Sequence, residues 1–286
     1  MEHDNMQVID FRVRPPLRSF LNCGFFTDAS NPFDWHSPPP KSVREKSFEA
    51  LRAELLNAGI SGAVIWGRKT TDSAKSTKDE DVAEIRASNP DIFLAGFGAL
   101  CPDVEHIGTS LDAIERAAGL GLKGMTLEPG IGMRPLTHAD DRALFPIYES
   151  LQDHRMLLAL TISRGVSLDQ TLALSNPEAV DKVSRAFPDL KIVVSHAFWP
   201  WVEHSCGLAF RRPNVYLLPD LYGMGMPGTT MWVEAANTGL ADKILFASAY
   251  PYLGVEEMVS AYMRLPYKDS VREKVMRTNA LQLLSS

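Results

Sequence analysis

Cysteine is scarce: Cys23, Cys101 and Cys206 are the only three in 286 residues, too few and too far apart for a disulfide framework. They read as free thiols of a reducing compartment. No apolar run approaches the roughly 20 residues that a bilayer-spanning helix needs. The first six residues lack the basic and apolar regions of a secretion signal, so a cytoplasmic protein with no membrane contact is expected. Positive charge is in deficit, with 29 Lys and Arg against 35 Asp and Glu and a net charge of −6. No basic cluster offsets it, which excludes a nucleic-acid footprint and argues against an anionic lipid surface. The chain also lacks a G-x-S-x-G elbow, an H-E-x-x-H pair and a Walker loop. Gly119-Leu120-Gly121-Leu122-Lys123-Gly124 spells G-x-G-x-x-G, but it stands between a helix end and a strand, the reverse of the nucleotide-binding order. It reads as a helix stop and turn.

What is present is alternation. Short apolar strands are predicted at 7–13, 62–66, 92–96, 124–127, 156–162, 191–195, 215–218 and 243–246. Helical patterns at 42–58, 79–88, 110–118, 140–152, 177–187, 202–210 and 229–237 separate them, and 255–264 and 270–284 close the chain. Eight buried strands alternating with helices predict an α/β fold with a parallel sheet, and eight strands close a (β/α)8 TIM barrel. Pro38-Pro39-Pro40 falls inside the first long loop, so a single domain over 1–286 is expected.

The first strand is unusual. In Ile9-Asp10-Phe11-Arg12-Val13-Arg14-Pro15-Pro16 the charged residues are spaced by two, which places Asp10, Arg12 and Arg14 on one face. Charges within a sheet are rare unless paired or functional. This segment resembles the Asp-x-His-x-His opening of the amidohydrolase-2 family of TIM barrels, metal-dependent hydrolases and decarboxylases of small aromatic or unsaturated acids. Val193-Val194-Ser195-His196 with Ala197-Phe198-Trp199-Pro200-Trp201 is similar to the family's histidine-bearing sixth strand. Residues 210–217, Lys243-Ile244-Leu245-Phe246-Ala247-Ser248-Ala249-Tyr250-Pro251 and the closing residues 279–284 resemble its later motifs.

The departures matter more. Under the resemblance, the two opening histidines correspond to Arg12 and Arg14, the strand-five histidine falls at or beside Leu160, and the strand-eight aspartate corresponds to Ala249. Arginine has no acceptor atom and binds no metal. Only His196 persists, and the resemblance implies proton transfer for it. The cofactor expectation is therefore none, with zinc in a rearranged site of His196, Glu128 and Asp220 as the alternative.

Strand ends at the C-terminal mouth of such a barrel carry the site. Arg12, with Arg14, suits a carboxylate or a developing oxyanion. His196 suits general acid–base work. Glu128 and Asp220 suit orientation of either, and Tyr250 offers a hydroxyl. Trp35, Trp199 and Trp201 suit a wall for a planar substrate. Each has a plainer reading. The arginines form structural ion pairs with Asp10, Glu128 or Asp220, Glu128 opens a Pro-Gly turn, Asp220 caps the next segment of chain, and the tryptophans pack. His138-Ala139-Asp140-Asp141 precedes a helix and reads as a cap.

The leading expectation is a hydrolase of a small, planar carboxylate working without the usual metal, with Arg12 as anion holder and His196 as acid–base. Decarboxylation of a small unsaturated or aromatic acid is the runner-up. A retired barrel that binds a metabolite is the third reading. The partner expected is the substrate itself, and the resemblance admits a homodimer.

Overall fold

A computed structural model describes residues 6–27, 38–129, 138–162 and 172–286. Seven parallel strands lie in chain order within one curled sheet: β1 Val8–Val13, β2 Ile60–Trp66, β3 Phe93–Leu100, β4 Gly124–Leu127, β5 Leu157–Thr161, β6 Ile192–Ser195 and β7 Val215–Leu218. Parallel neighbours require crossovers. The helices Phe48–Asn57, Asp79–Ser88, Ile107–Gly119, Phe145–Asp153, Glu178–Ala186 and Val202–Arg211 supply them.

The expected eighth strand does not form among the described residues. Residues 243–250 touch both open edges through single bridges, Leu217 with Ile244 and Val13 with Tyr250. The Phe11 N–H also donates to the Phe246 carbonyl at 3.1 Å. Side chains take the donors that a ladder would have used. Asp10 Oδ1 accepts from the Ser248 N–H at 3.0 Å, and Ser248 Oγ accepts from the Tyr250 N–H at 3.0 Å. Ala249 between them is left-handed, with φ 59°. The architecture is thus a curled α/β half-barrel, and the closed eight-stranded barrel is met only in part.

Strand alternation sorts the apolar residues into two layers. Val64 and Trp66, Ala95 and Phe97, Leu157 and Ala159, and Val193 pack together with Ile9 and Phe11 on the concave side. Residues of opposite parity, such as Ile65, Leu158, Leu160 and Val194, pack with the helices. The final helix Asn279–Ser285 adds Ala280 and Leu283 to the concave cluster. Burying about 25 cal/mol per Å² of apolar surface on both faces is the main stabilising term.

Two local irregularities set up the site. Asp10 pairs with Ala63 and Val13 with Ile65, so β1 takes three steps against two on β2. Such a bulge re-aims side chains. Phe11 and Arg12, adjacent in sequence, both reach the interior, Phe11 against Phe97 and Arg12 against Trp66. The single charged face expected of β1 is broken by it. The predicted helix at 42–58 also divides. Lys46 turns left-handed with φ 50°, and Ser47 caps Phe48–Asn57 by accepting from the Ala50 N–H.

Candidate active site

The sheet brings three of the predicted residues together. Asp220, fully buried after β7, places Oδ1 2.8 Å from His196 Nδ1. Its Oδ2 accepts from the His196 backbone N–H at 3.1 Å and from the Ser195 hydroxyl at 2.7 Å. Arg12 Nη1 lies 3.8 Å from the same oxygen, an ion pair that is not a hydrogen bond. One carboxylate therefore fixes the imidazole, the turn that carries it and the nearest cation. That turn is strained: His196, Ala197 and Phe198 have φ of 67°, 42° and 64°, and Asp220 itself has 44°. Successive left-handed residues that are not glycine persist only where surrounding contacts over-determine them. The Tyr262 hydroxyl adds to these by donating to the Asp220 carbonyl at 2.9 Å.

A second charged group lies beside the first. Glu128, at the end of β4, pairs with Arg14 at 3.4 Å through one oxygen and with Arg68 at 3.4 Å through the other. The Arg14 guanidinium also sits over Phe25, 5.2 Å from the ring centroid. Burial, then the neighbouring Arg12 charge, push the Arg14 pKa down to about 9, which leaves it charged at neutral pH. Asp10 moves the other way: burial raises its carboxyl to about 6, against hydrogen bonds from Ser248 and the Arg12 N–H.

The aromatic residues divide. Trp199 stacks on Tyr222, with centroids 5.0 Å apart and planes 9° apart, and Tyr222 meets His196 edge-on at 5.1 Å. Trp199 thus flanks the imidazole through Tyr222, while its indole N–H donates to the Pro227 carbonyl. The Trp201 indole donates to the Leu172 carbonyl, and its ring meets His204. The Tyr250 hydroxyl donates to Ser42, away from the His196 group, and burial raises its pKa. Trp35 lies outside the described residues.

Sequence reasoning missed five residues. Ser195 and Tyr222 adjoin motif residues, and Arg68 follows β2 by two positions. Trp66 and Thr161 carry the concave-side parity of their strands, a signal available from alternation alone. Thr161, not Leu160, is the inward residue at the end of β5, since Leu160 packs with the helices.

The donor set does not suit a metal. His196, Glu128 and Asp220 do not gather, because Glu128 serves Arg14 and Arg68 while Asp220 serves His196. Among the described residues, the one trio of His, Cys, Asp or Glu close enough to share an ion is Asp103, Glu105 and His106, exposed and between β3 and the next helix. The rearranged zinc site is not formed, and the strand-end residues described here do not make a metal cradle.

Comparison with solved structures places this geometry. The chain is 35% identical to an uncharacterized TIM-barrel protein from Bordetella bronchiseptica, with 98% of each chain covered and a TM-score of 0.89. It resembles 5-carboxyvanillate decarboxylase from Sphingomonas paucimobilis at 18% identity, covering 98% of this chain and 99% of that one, with a TM-score of 0.69. Dihydroxybenzoic acid decarboxylase from Polaromonas, solved with manganese and the inhibitor 2-nitroresorcinol, matches at 15% identity over 98% and 97% of the chains, with a TM-score of 0.69. That manganese overturns the expectation of no cofactor, since relatives of this fold point to a divalent metal. No functionally curated protein matches the chain. No described helix is long and apolar enough to cross a membrane. The amidohydrolase family model matches residues 33–285, and the chain belongs to that family.

Proposed function

We propose that the protein is a carbon–carbon lyase that decarboxylates a small aromatic or unsaturated acid. The observation that carries this reading is the 2.8 Å contact between His196 Nδ1 and Asp220 Oδ1. A carboxylate at Nδ1 fixes that nitrogen as the protonated one and stabilises the imidazolium. Nε2 is then the atom that gives up or takes a proton. The named relatives are decarboxylases, which favours this reading over hydrolysis. The hydrolase reading rests on the resemblance to a family that includes hydrolases, and neither relative of named activity is one.

In this reaction the carbon bearing the carboxylate takes a proton from His196 Nε2. That proton is taken up by a π electron pair of the ring or double bond, leaving His196 neutral. The carbon–carbon bond then breaks, its electron pair restores the π system, and CO2 leaves. Arg12 holds the substrate's anionic oxygen, because its buried guanidinium presents charged N–H donors to a developing negative charge. Trp199 and Tyr222, stacked beside the imidazole, cover one side of a planar ring and exclude water. A divalent metal, such as the manganese bound in the Polaromonas enzyme, would supply Lewis-acid stabilisation of substrate oxygens. The residues described here form no cradle for one, so no step is routed through it.

The test is incubation with 2,6-dihydroxybenzoate and 5-carboxyvanillate in buffer containing manganese, in D2O, with product followed by mass spectrometry. The expected product has lost CO2 and carries one deuterium at the vacated carbon. Turnover of lactones or esters with no acid decarboxylated would overturn the reading.

A further inference from the structure

Buried donors are satisfied through most of this fold. The Trp232 indole donates to Ser205, and the Asn214 amide donates to three carbonyls. The exceptions cluster. Seven buried side-chain donors lack an acceptor among the described residues, and five of them lie at the ends of β1, β2 and β5: Arg12 Nε and Nη1, Arg14 Nε, Trp66 Nε1 and Thr161 Oγ1. The other two, Arg272 Nε and Arg277 Nε, are in the C-terminal helices. Each of these atoms is shut off from bulk solvent. A buried donor without an acceptor costs stability and is kept only where something repays that cost.

The positions of two of them are informative. Trp66 ends β2 on the concave side, against Phe97, and the Arg12 guanidinium lies 5.7 Å from its ring centroid. The unsatisfied indole N–H and guanidinium N–H groups therefore belong to adjacent side chains. Thr161 ends β5 and pairs in register with Ser195, whose hydroxyl binds Asp220 beside His196. Indole and guanidinium are donors only, so what completes them is an acceptor. A carboxylate, with two oxygens and several lone pairs, is the smallest group that serves both.

We infer that Trp66 and Thr161 are substrate-binding residues, Trp66 sharing the carboxylate with Arg12 and Thr161 reading a second oxygen substituent on the same acid. This rests on the decarboxylase reading for the substrate class, but not for the binding itself. The preferred ligand is an acid carrying a hydroxyl or oxo group near its carboxylate, over the same acid without it. Because the donor atoms are covered, entry draws the side chains around Arg12 apart.

Isothermal titration calorimetry with benzoate and 2-hydroxybenzoate tests this on the wild-type chain, Trp66→Phe and Thr161→Val. The wild type is expected to favour 2-hydroxybenzoate about tenfold, and Thr161→Val to bring that ratio close to one. Trp66→Phe is expected to weaken both acids about tenfold and keep the ratio. Without ligand, Thr161→Val should melt at or above the wild-type temperature, since it deletes an unsatisfied buried donor at nearly constant volume. A structural hydrogen bond would give the opposite sign. Wild-type binding by both variants, lower melting with unchanged affinity, or no binding of either acid by the wild type each overturns the inference. If the predicted affinities hold but no acid is decarboxylated, the reaction reading fails while the binding residues stand.

Discussion

Asp220 holds His196 twice, through the imidazole at 2.8 Å and through its backbone N–H at 3.1 Å. The first contact sets the tautomer and the second sets the position of the ring. Both pass through a carboxylate that also faces Arg12, so acid and anion holder are kept in fixed relation by one group.

Asp220→Asn separates those two roles. The amide keeps the shape and an acceptor for Ser195 and the His196 N–H, but it no longer stabilises an imidazolium. Turnover is expected to fall on the order of 10²–10⁴-fold with KM nearly unchanged. The alkaline limb of the pH–rate profile should shift to lower pH, because the imidazolium loses its countercharge. Steady-state kinetics across pH 5–8 check this. An unchanged profile would assign Asp220 to folding alone.

Asp10 predicts a pH dependence of stability. Its carboxyl is raised from 3.8 to about 6 by burial. Between those values the native state binds more protons than the unfolded chain, so stability is full below about pH 4 and falls as pH rises through about 6. A shift of this size corresponds to about 3 kcal/mol. Asn in its place keeps an acceptor for Ser248 and the Arg12 N–H and carries no charge. The stability difference between Asp10→Asn and wild type should therefore grow from pH 4 to 6 and then level. Urea unfolding at a series of pH values measures it, and parallel curves would rule it out.

Glu128 neutralises two arginines at once, with one oxygen toward buried Arg14 and the other toward Arg68. Glu128→Gln leaves those cations without their shared countercharge. Removing one partner of a buried pair costs about 3–5 kcal/mol, which a urea midpoint resolves. Acid binding should weaken as well, since Arg14 is no longer held in place. Loss of turnover with unchanged stability would instead give Glu128 a direct part in the chemistry.

Much of the fold is legible in the sequence, and the failures have physical causes. The strands at 124–127 and 215–218 and the helix at 79–88 are bounded as read, because continuous apolar runs between turn residues leave no second option. The eighth strand escapes sequence reasoning because Ser248 and Asp10 supply side-chain hydrogen bonds that compete with a ladder. Strict alternation misplaces Asp10 relative to Arg12, since a bulge leaves no mark in a run such as Ile9-Asp10-Phe11-Arg12. His196 and Asp220 are legible as strand-end residues, but their contact is not, for it joins positions 24 apart across two strand ends. Trp66 is easily passed over because tryptophan in an apolar run looks like core, and only its unpaired N–H distinguishes it.

The turn after β6 gives a measure of the strain stored beside the acid. Ala197 is buried and left-handed, with φ 42°, between two other left-handed residues. Ala159 on β5 is equally buried in regular strand geometry. Replacing either by glycine loses about 0.8 kcal/mol of methyl burial and about 0.5–1 kcal/mol of backbone entropy. At Ala197 the change also relieves a left-handed penalty of about 1–2 kcal/mol. Ala159→Gly is therefore expected to cost about 1.5 kcal/mol and Ala197→Gly to cost close to nothing. Turnover should nevertheless fall in Ala197→Gly, because a freer turn lets His196 leave the position that Asp220 holds. Equal losses of stability in the two variants would mean that the turn stores no strain, and that the His196–Asp220 contact is held by hydrogen bonding alone.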